Sequence, residues 1–462
     1  MTTIPSSPSA ATTREMRHDF GKGLRAAMPR ERLAELPHTA GRDPLAVLAG
    51  TDRSRLPDLV PERYRRMSAS PLSFFRGAAA VMAEDLRGAP GGGLAVQACG
   101  DCHIGNFGVG QSPEGQPLFE INDFDETLPD VDFTVDVKRL CASVALAVLE
   151  GAEPDMEEAR HAAHSAAHAY RGRMSELALM SPLEVWNLRT DATDLVAHTD
   201  DPSLRKSVET FVAKGMEGPE NSGNFQRLSA DSKDKPPAQW RIADKPPNIF
   251  HWSEGDQGRE TLRATEAFAG YLTTLPPERR RLVERYGLSD VAFKVVGVGS
   301  VGTFCALGLF TTPDGASLFL QIKEALPSVL TRVTGRDNFA GHQGERVVQG
   351  QRLMQSASDV FLGWTTEAAT GRQFYVRHLK NKRLGEIAPL IQDHALGEYA
   401  KLCGATLARS HARSGDAAAL AGYMGDSGVF DDALAEFAMS YAARTRADHA
   451  ALLARHPELK SA

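Results

Sequence analysis

A chain of 462 residues that is 42% hydrophobic and 24% charged can bury a sizeable core, which excludes disorder throughout, and its formal net charge of −7 gives no basic excess for a nucleic-acid partner. No apolar run has the length of a signal-peptide core or a membrane span, so a cytoplasmic protein without a membrane partner is expected. The five cysteines are too scattered for a disulfide framework, and the lone Cys99-x-x-Cys102 pair cannot complete a tetrahedral zinc site.

Residues 1–60, rich in Ser, Pro, Arg and Ala, read as a mobile or wrapping N-terminal segment. A helix is expected after Ser70-Pro71, with Phe74, Phe75, Ala78 and Met82 on one face. Leu94–Cys99 and Pro117–Ile121 are short apolar runs bounded by Gly, Pro and Asn and read as adjacent strands flanking a loop. Residues 136–149 and 157–180 are Ala-rich and helical in period, whereas 217–250 is polar and Pro-rich and reads as a connector or substrate-facing loop outside the core. Beyond it, Val291–Val296, Cys305–Phe310 and Leu318–Ile322 are three β-prone runs of a small antiparallel sheet. A helix over 340–357, strands over Val360–Trp364 and Gln373–Leu379, and helices over 395–413 and 430–455 complete the chain. The expected organisation is therefore α+β, with a helical lobe over 61–285, a small β lobe over 286–385, and C-terminal helices over 386–462 returning to the helical lobe.

Two stretches carry chemistry. The first is GDCHIGNFG (100–108), followed by INDFDE (121–126), which sets Asp101, Asn106, Asp123 and Asp125 at strand ends. Phosphoryl transfer needs one carboxylate to orient the nucleophile's proton, and a carboxamide with a second carboxylate to hold Mg²⁺ on the phosphates. Each residue alone is a common loop cap, but the set appears in the order kinases use. The second stretch is GVGSVG (297–302), between two strands, with Lys323 on the strand after them. A dinucleotide-binding GxGxxG opens a helix, but CALGLF downstream is a strand, so Gly297, Gly299, Ser300 and Gly302 suit a lid over ATP phosphates, with Lys323 adding a point charge. Glu345, the only acid between Asn338 and Ser358, is the candidate helix partner of Lys323.

Gly100-Asp101-Cys102-His103-Ile104-Gly105-Asn106 resembles the GDxHxxN loop of aminoglycoside and choline phosphotransferases. That resemblance implies a protein-kinase-like two-lobed fold, Asp101 as catalytic base, His103 as an orienting residue, and Asn106 with Asp123 as Mg²⁺ ligands. Asp125 is a second metal candidate, and Asp136 resembles a structural Asp of those families. In kinases the glycine loop and lysine precede the catalytic loop; here they follow it, which circular permutation explains. The helix containing GATLARSHARSGD (404–416) resembles the one that runs into the catalytic loop in those enzymes, and Phe374–Leu379 would be the strand offering backbone groups to adenine. The segments RYRRMSASPLSFFRG, INDFDETLPDVDFTVDVKRL and GERVVQGQRLMQSASDVFLGW also resemble the bacterial family catalogued as domain of unknown function 2252.

The function these features imply is γ-phosphoryl transfer from ATP with Mg²⁺ to a small-molecule acceptor, a protein acceptor remaining open. Adenylyl transfer or ATP-driven ligation uses nearly the same phosphate grip. A non-catalytic ATP sensor and a metal-dependent phosphoesterase are the readings from other classes. Acidic residues over 217–260 would suit a cationic acceptor.

Overall fold

The computed structural model describes residues 12–37, 40–151, 154–198, 201–216, 235–251, 264–295, 297–379 and 395–461. Its Ala- and Leu-rich stretches form long helices because these side chains lose little freedom in a helix, and their small volume allows close packing. The Thr134–Leu149 helix is buried from Thr134 to Val148 and lies against Met156–Leu179 and Val429–Arg455. The Leu396–Ala412 helix packs along Met156–Leu179 so closely that a Cβ on Gly404 would sit 2.2 Å from the Ala166 carbonyl oxygen. Together these helices form the larger lobe.

Four short strands line one end of this bundle: β1 (Ala95–Ala98), β2 (Phe107–Gln111), β3 (Pro117–Ile121) and β4 (Leu128–Asp132). Their pairing corrects the sequence reading, because β1 and β3 are not neighbours; β1 pairs antiparallel with β4, and β2 with β3. The two unforeseen strands lack β-prone alternation, β2 carrying Gly108 and Gly110, and β4 carrying Pro129, Asp130 and Asp132. Ser70 caps the expected helix through the Ser73 amide. That helix breaks at Ala78 (φ −114°, ψ 34°) into Pro71–Gly77 and Ala79–Asp85, with the Gly77 carbonyl accepting from Arg63. Phe74, Phe75, Ala78 and Met82 are all buried, as their spacing implied. The described part of the N-terminal segment wraps the body: the Arg14–Leu24 helix packs on Ala417–Met424, and the Arg25 guanidinium donates to the Tyr423 carbonyl at 2.8 Å.

The smaller lobe is a six-stranded antiparallel sheet of β5 (Ile249–Phe250), β6 (Gly287–Lys294), β7 (Cys305–Thr311), β8 (Ser317–Glu324), β9 (Gly363–Thr366) and β10 (Gln373–His378), in the order β5-β6-β7-β8-β10-β9. Phe293, Phe304, Phe310, Leu320, Ile322 and Phe374 form its apolar core with Tyr271 and Val283. The helices Ala264–Thr273 and Pro277–Val283 thus belong to this lobe, which moves the expected boundary at 285 toward the N-terminus. Part of the expected connector is core as well: Ile242 and Ile249 are buried, and the Ile242 amide donates to Asp290 at 2.7 Å. Residues 217–234 of that stretch lie outside the described residues.

The Gln343–Met354 helix joins the lobes, burying Val347 and Val348 in the core of the larger one while Gly344 meets β10. A Cβ at Gly344 would lie 2.2 Å from the Phe374 carbonyl oxygen. With helices and antiparallel strands segregated in this way, the fold is α+β. Among the described residues no helix is long and apolar enough to cross a membrane.

Candidate active site

The loop after β1 is built on buried charge. The Asp136 carboxylate, fully buried in the Thr134–Leu149 helix, accepts from the Cys99 amide at 2.6 Å and the Gly100 amide at 2.9 Å, and His411 Nε2 lies 3.2 Å from it. His411 contacts Tyr170 through Nδ1 at 2.9 Å, so the helix carrying GATLARSHARSGD supports the acid loop from behind. Gly100 adopts φ +90°, and a Cβ there would lie 2.2 Å from the Glu126 carbonyl oxygen; only glycine fits.

Asp101, next in the chain, accepts from Arg139 Nε at 2.6 Å on Oδ1. Arg139 is buried one turn after Asp136, donates to the Phe75 carbonyl at 3.0 Å, and lies over the Phe75 ring. Sequence reasoning missed Arg139, and only its spacing from Asp136 on one helix hinted at the role. Asn106 Nδ2 donates to the Asp101 carbonyl at 2.7 Å, and His103 Nδ1 accepts from the Gly105 amide at 3.1 Å, so side chains of the motif fix the loop that carries it.

The 121–126 segment is tied to that loop through the Asn122 amide, which donates to the Asn106 carbonyl at 2.8 Å, and through Cys99 Sγ, 3.3 Å from the Asp123 carbonyl. Asp125 is fully committed: Oδ2 meets the Lys323 ammonium and accepts from Ser300 Oγ at 3.0 Å, while Oδ1 accepts from the Tyr375 hydroxyl at 2.6 Å. Burial opposes ionisation of Asp125, but the Lys323 charge outweighs it and holds the carboxyl well below the usual carboxylate range. The same pairing lifts Lys323 above the ordinary lysine value against the opposing effect of burial. Asp125 is therefore the lysine's partner, while Asp123 Oδ1 accepts from the Asp125 amide at 3.3 Å.

Glu345 is not brought to Lys323. Helical register turns Arg346 inward instead, where it donates to the Asp125 and Leu326 carbonyls at 2.9 and 2.7 Å, while the half-exposed Glu345 accepts from Gln349 at 2.8 Å. Of Phe374–Leu379, expected to offer backbone groups to adenine, the first three residues are engaged on both sides, Phe374–Val376 of β10 pairing with both β8 and β9. β10 also offers the side chain of Arg377, whose Nε donates to Gln321 at 2.9 Å.

The glycine loop is held from the N-terminal segment. Arg55 donates to the Gly299 carbonyl at 2.9 Å and to that of Val301, and the Leu56 amide donates to the Gly302 carbonyl at 2.7 Å. Gly302 has φ +89° and backs onto the Arg55 stem, so it shapes the loop from behind. Gly299 reaches across to the acid loop, its Cβ direction ending 3.8 Å from Asp101 Oδ2.

All of this surrounds one cavity of about 630 Å³ between the lobes. Asp101, His103, Asn106, Asp123 and Asp125 line it from one side, and Gly297, Gly299, Ser300 and Lys323 from the other. Glu126 lines it too; burial pushes its carboxyl up to about 7, against the Val329 amide that donates to it at 2.7 Å. Among the described residues no group of three or more His, Cys, Asp or Glu side chains has metal-holding geometry. Mg²⁺ on a nucleotide needs no such group, since phosphate and water supply most of its oxygens, and Asn106 and Asp123 are the residues of the expected pair that line the cavity.

A two-lobed α+β protein with a polar cleft between its lobes is the class these features define. The chain belongs to the family described as an uncharacterized protein conserved in bacteria, domain of unknown function 2252, whose model matches residues 55–455. Neither a curated protein nor a solved structure matches it.

Proposed function

We propose that the protein is an ATP-dependent phosphotransferase with a protein-kinase-like two-lobed fold, circularly permuted, that transfers the γ-phosphoryl group to a small-molecule acceptor. The observation that carries this reading is the single cavity lined by Asp101, Asn106 and Asp123 from one lobe and by the glycine loop with Lys323 from the other. The smaller lobe follows the kinase sequence of parts, a glycine loop between two strands, a lysine on the next, then a helix. Permutation is supported by the meeting of distant segments: Ser414 Oγ, just past the Leu396–Ala412 helix, accepts from the Gln97 amide at 2.9 Å, directly before the acid loop. A kinase running in the ordinary order would continue from such a helix into that loop.

In this mechanism the glycine loop and Lys323 would hold the phosphates, and Asn106 and Asp123 would hold Mg²⁺, which when bound would neutralise charge on the phosphoryl oxygens. Arg139 fixes Asp101 Oδ1, so Oδ2, on the Gly299 side, orients the acceptor hydroxyl for in-line attack. The bond from phosphorus to the bridging oxygen breaks, the bond to the acceptor oxygen forms, and the acceptor proton passes to Asp101. Incubation with γ-labelled and α-labelled ATP tests the reading. Label transferred from the γ position only, and lost in Asp101→Asn with nucleotide binding retained, is expected; transfer of α label would replace it with adenylyl transfer.

A further inference from the structure

We infer that Arg377 is a phosphate-binding residue of the cleft, its guanidinium meeting the polyphosphate chain beside Lys323. This rests on the phosphotransferase reading and adds a residue to that site; the acids at 217–260 that suggested a cationic acceptor lie, apart from Asp244, outside the described residues. Register decides where the side chain points. Directly opposed residues of an antiparallel ladder share a face, and successive residues alternate. Tyr375 is opposite Lys323 and Arg377 is opposite Gln321, so these four project from one face of the sheet. Phe374 and Val376, with Ile322 and Leu320, project from the other and fill the apolar core of the smaller lobe. The first face roofs the cleft, and Gln321, Lys323 and Arg377 all line the cavity. Lys323 and Arg377 are diagonal neighbours, roughly 7–8 Å apart on such a ladder, so both reach one polyphosphate chain.

Arg377 is held but not satisfied. Its Nε donates to Gln321 Oε1 at 2.9 Å and its Nη1 to the Asn122 carbonyl at 3.4 Å, both neutral acceptors. Gln321 is fixed in turn, its Nε2 lying 3.2 Å from Cys305 Sγ, so the sheet sets the plane of the guanidinium. Because Asn122 belongs to the acid segment, Arg377 lies where the two lobes meet. Nη2 has no acceptor among the described residues and is not closed to solvent. Asp125 cannot serve it, since its oxygens end on Lys323, Ser300 and Tyr375. Burial opposes the Arg377 charge, while Tyr375, Asp123 and Asp125 favour it and raise the guanidinium above its ordinary value, so a full positive charge stands at the cleft. An anionic oxygen on the open edge adds charge attraction to the hydrogen bond, which the neutral ring nitrogens of a base do not.

The test is titration calorimetry on the full chain with Mg²⁺, using ADP and inorganic tripolyphosphate as probes. Both are expected to bind wild type, and Arg377→Gln should weaken both by the same factor, about ten-fold, with Arg377→Lys, which keeps the charge, recovering most of the loss. Gln321→Leu, which leaves Arg377 charged but unheld, should weaken both by less, and it carries the test if a thermal melt shows that Arg377→Gln fails to fold. Tripolyphosphate that does not bind wild type, equal affinities in wild type and variants, or a loss confined to ADP, which would set Arg377 against the base, would each overturn the inference. With both probes bound and unmoved by the variants, the inference alone falls and the nucleotide reading stands. If tripolyphosphate binds and Arg377→Gln weakens it while ADP does not bind at all, the phosphate contact stands and the nucleotide reading falls.

Discussion

Asp125 ties together three parts of the cleft, since Lys323 of β8, Ser300 of the glycine loop and Tyr375 of β10 all end on its carboxylate. Removing one member of such a pair strands the other charge in a poorly solvated place, so Asp125→Ala should destabilise the protein by about 3 kcal/mol, read as a lowered denaturant midpoint. Asp123→Ala should leave that midpoint nearly unchanged and abolish the Mg²⁺ dependence of nucleotide binding; the reverse pattern would return the metal to Asp125. Glu126 gives a pH signature. Its folded value near 7 lies above the ordinary 4.5, so the folded state binds more protons between those limits and stability falls as pH rises from about 4.5 to 7. Partial exposure screens the effect to on the order of 1–2 kcal/mol, and Glu126→Gln should flatten that slope in melts across the range. That Asp101, Asn106, Asp123 and Lys323 meet at one cavity was legible because they lie in or beside short motifs that include glycines. Arg139 and Tyr375 were not, because their roles come from contacts between segments that no local spacing encodes. Glu345 misled for a related reason: the helix was found, but its rotation depends on which face packs, and the close approach of Gly344 and Gly350 to the neighbouring lobes sets that.

At the scale of elements, the glycine loop depends on a segment that composition marks as peripheral. Residues 1–60 lack hydrophobic periodicity, yet Arg55 and Leu56 carry three of the hydrogen bonds that shape the loop. Arg55→Ala is expected to raise the KM for ATP about ten-fold through loss of loop order, with kcat at saturating ATP less affected; an unchanged KM would detach the loop from this anchor. Strand identity was legible where β-branched and aromatic residues cluster, as in β6 to β8. It failed at β2 and β4, which are held by register with their partners and not by their own propensity.

The molecule as a whole closes its cleft from both lobes, so a nucleotide bound there contacts both and should stabilise both. ADP with Mg²⁺ at about a hundred times its Kd adds about 2.7 kcal/mol, which should appear as a single-transition rise in melting temperature in wild type and vanish in Lys323→Met. Two separate transitions, only one of them shifted, would mean that the nucleotide touches a single lobe. The two-lobed plan was readable from the switch of periodicity near residue 290, whereas the helices at 264–283 were assigned to the wrong side because an amphipathic helix does not announce which core it joins.

The support of the acid loop by His411 has a consequence for biosynthesis. Asp136 and the loop it anchors leave the ribosome nearly three hundred residues before the imidazole that meets that carboxylate. The nascent acids must therefore wait, with the entire smaller lobe translated in between, and the loop gains its support only once residues 395–412 have been made and docked.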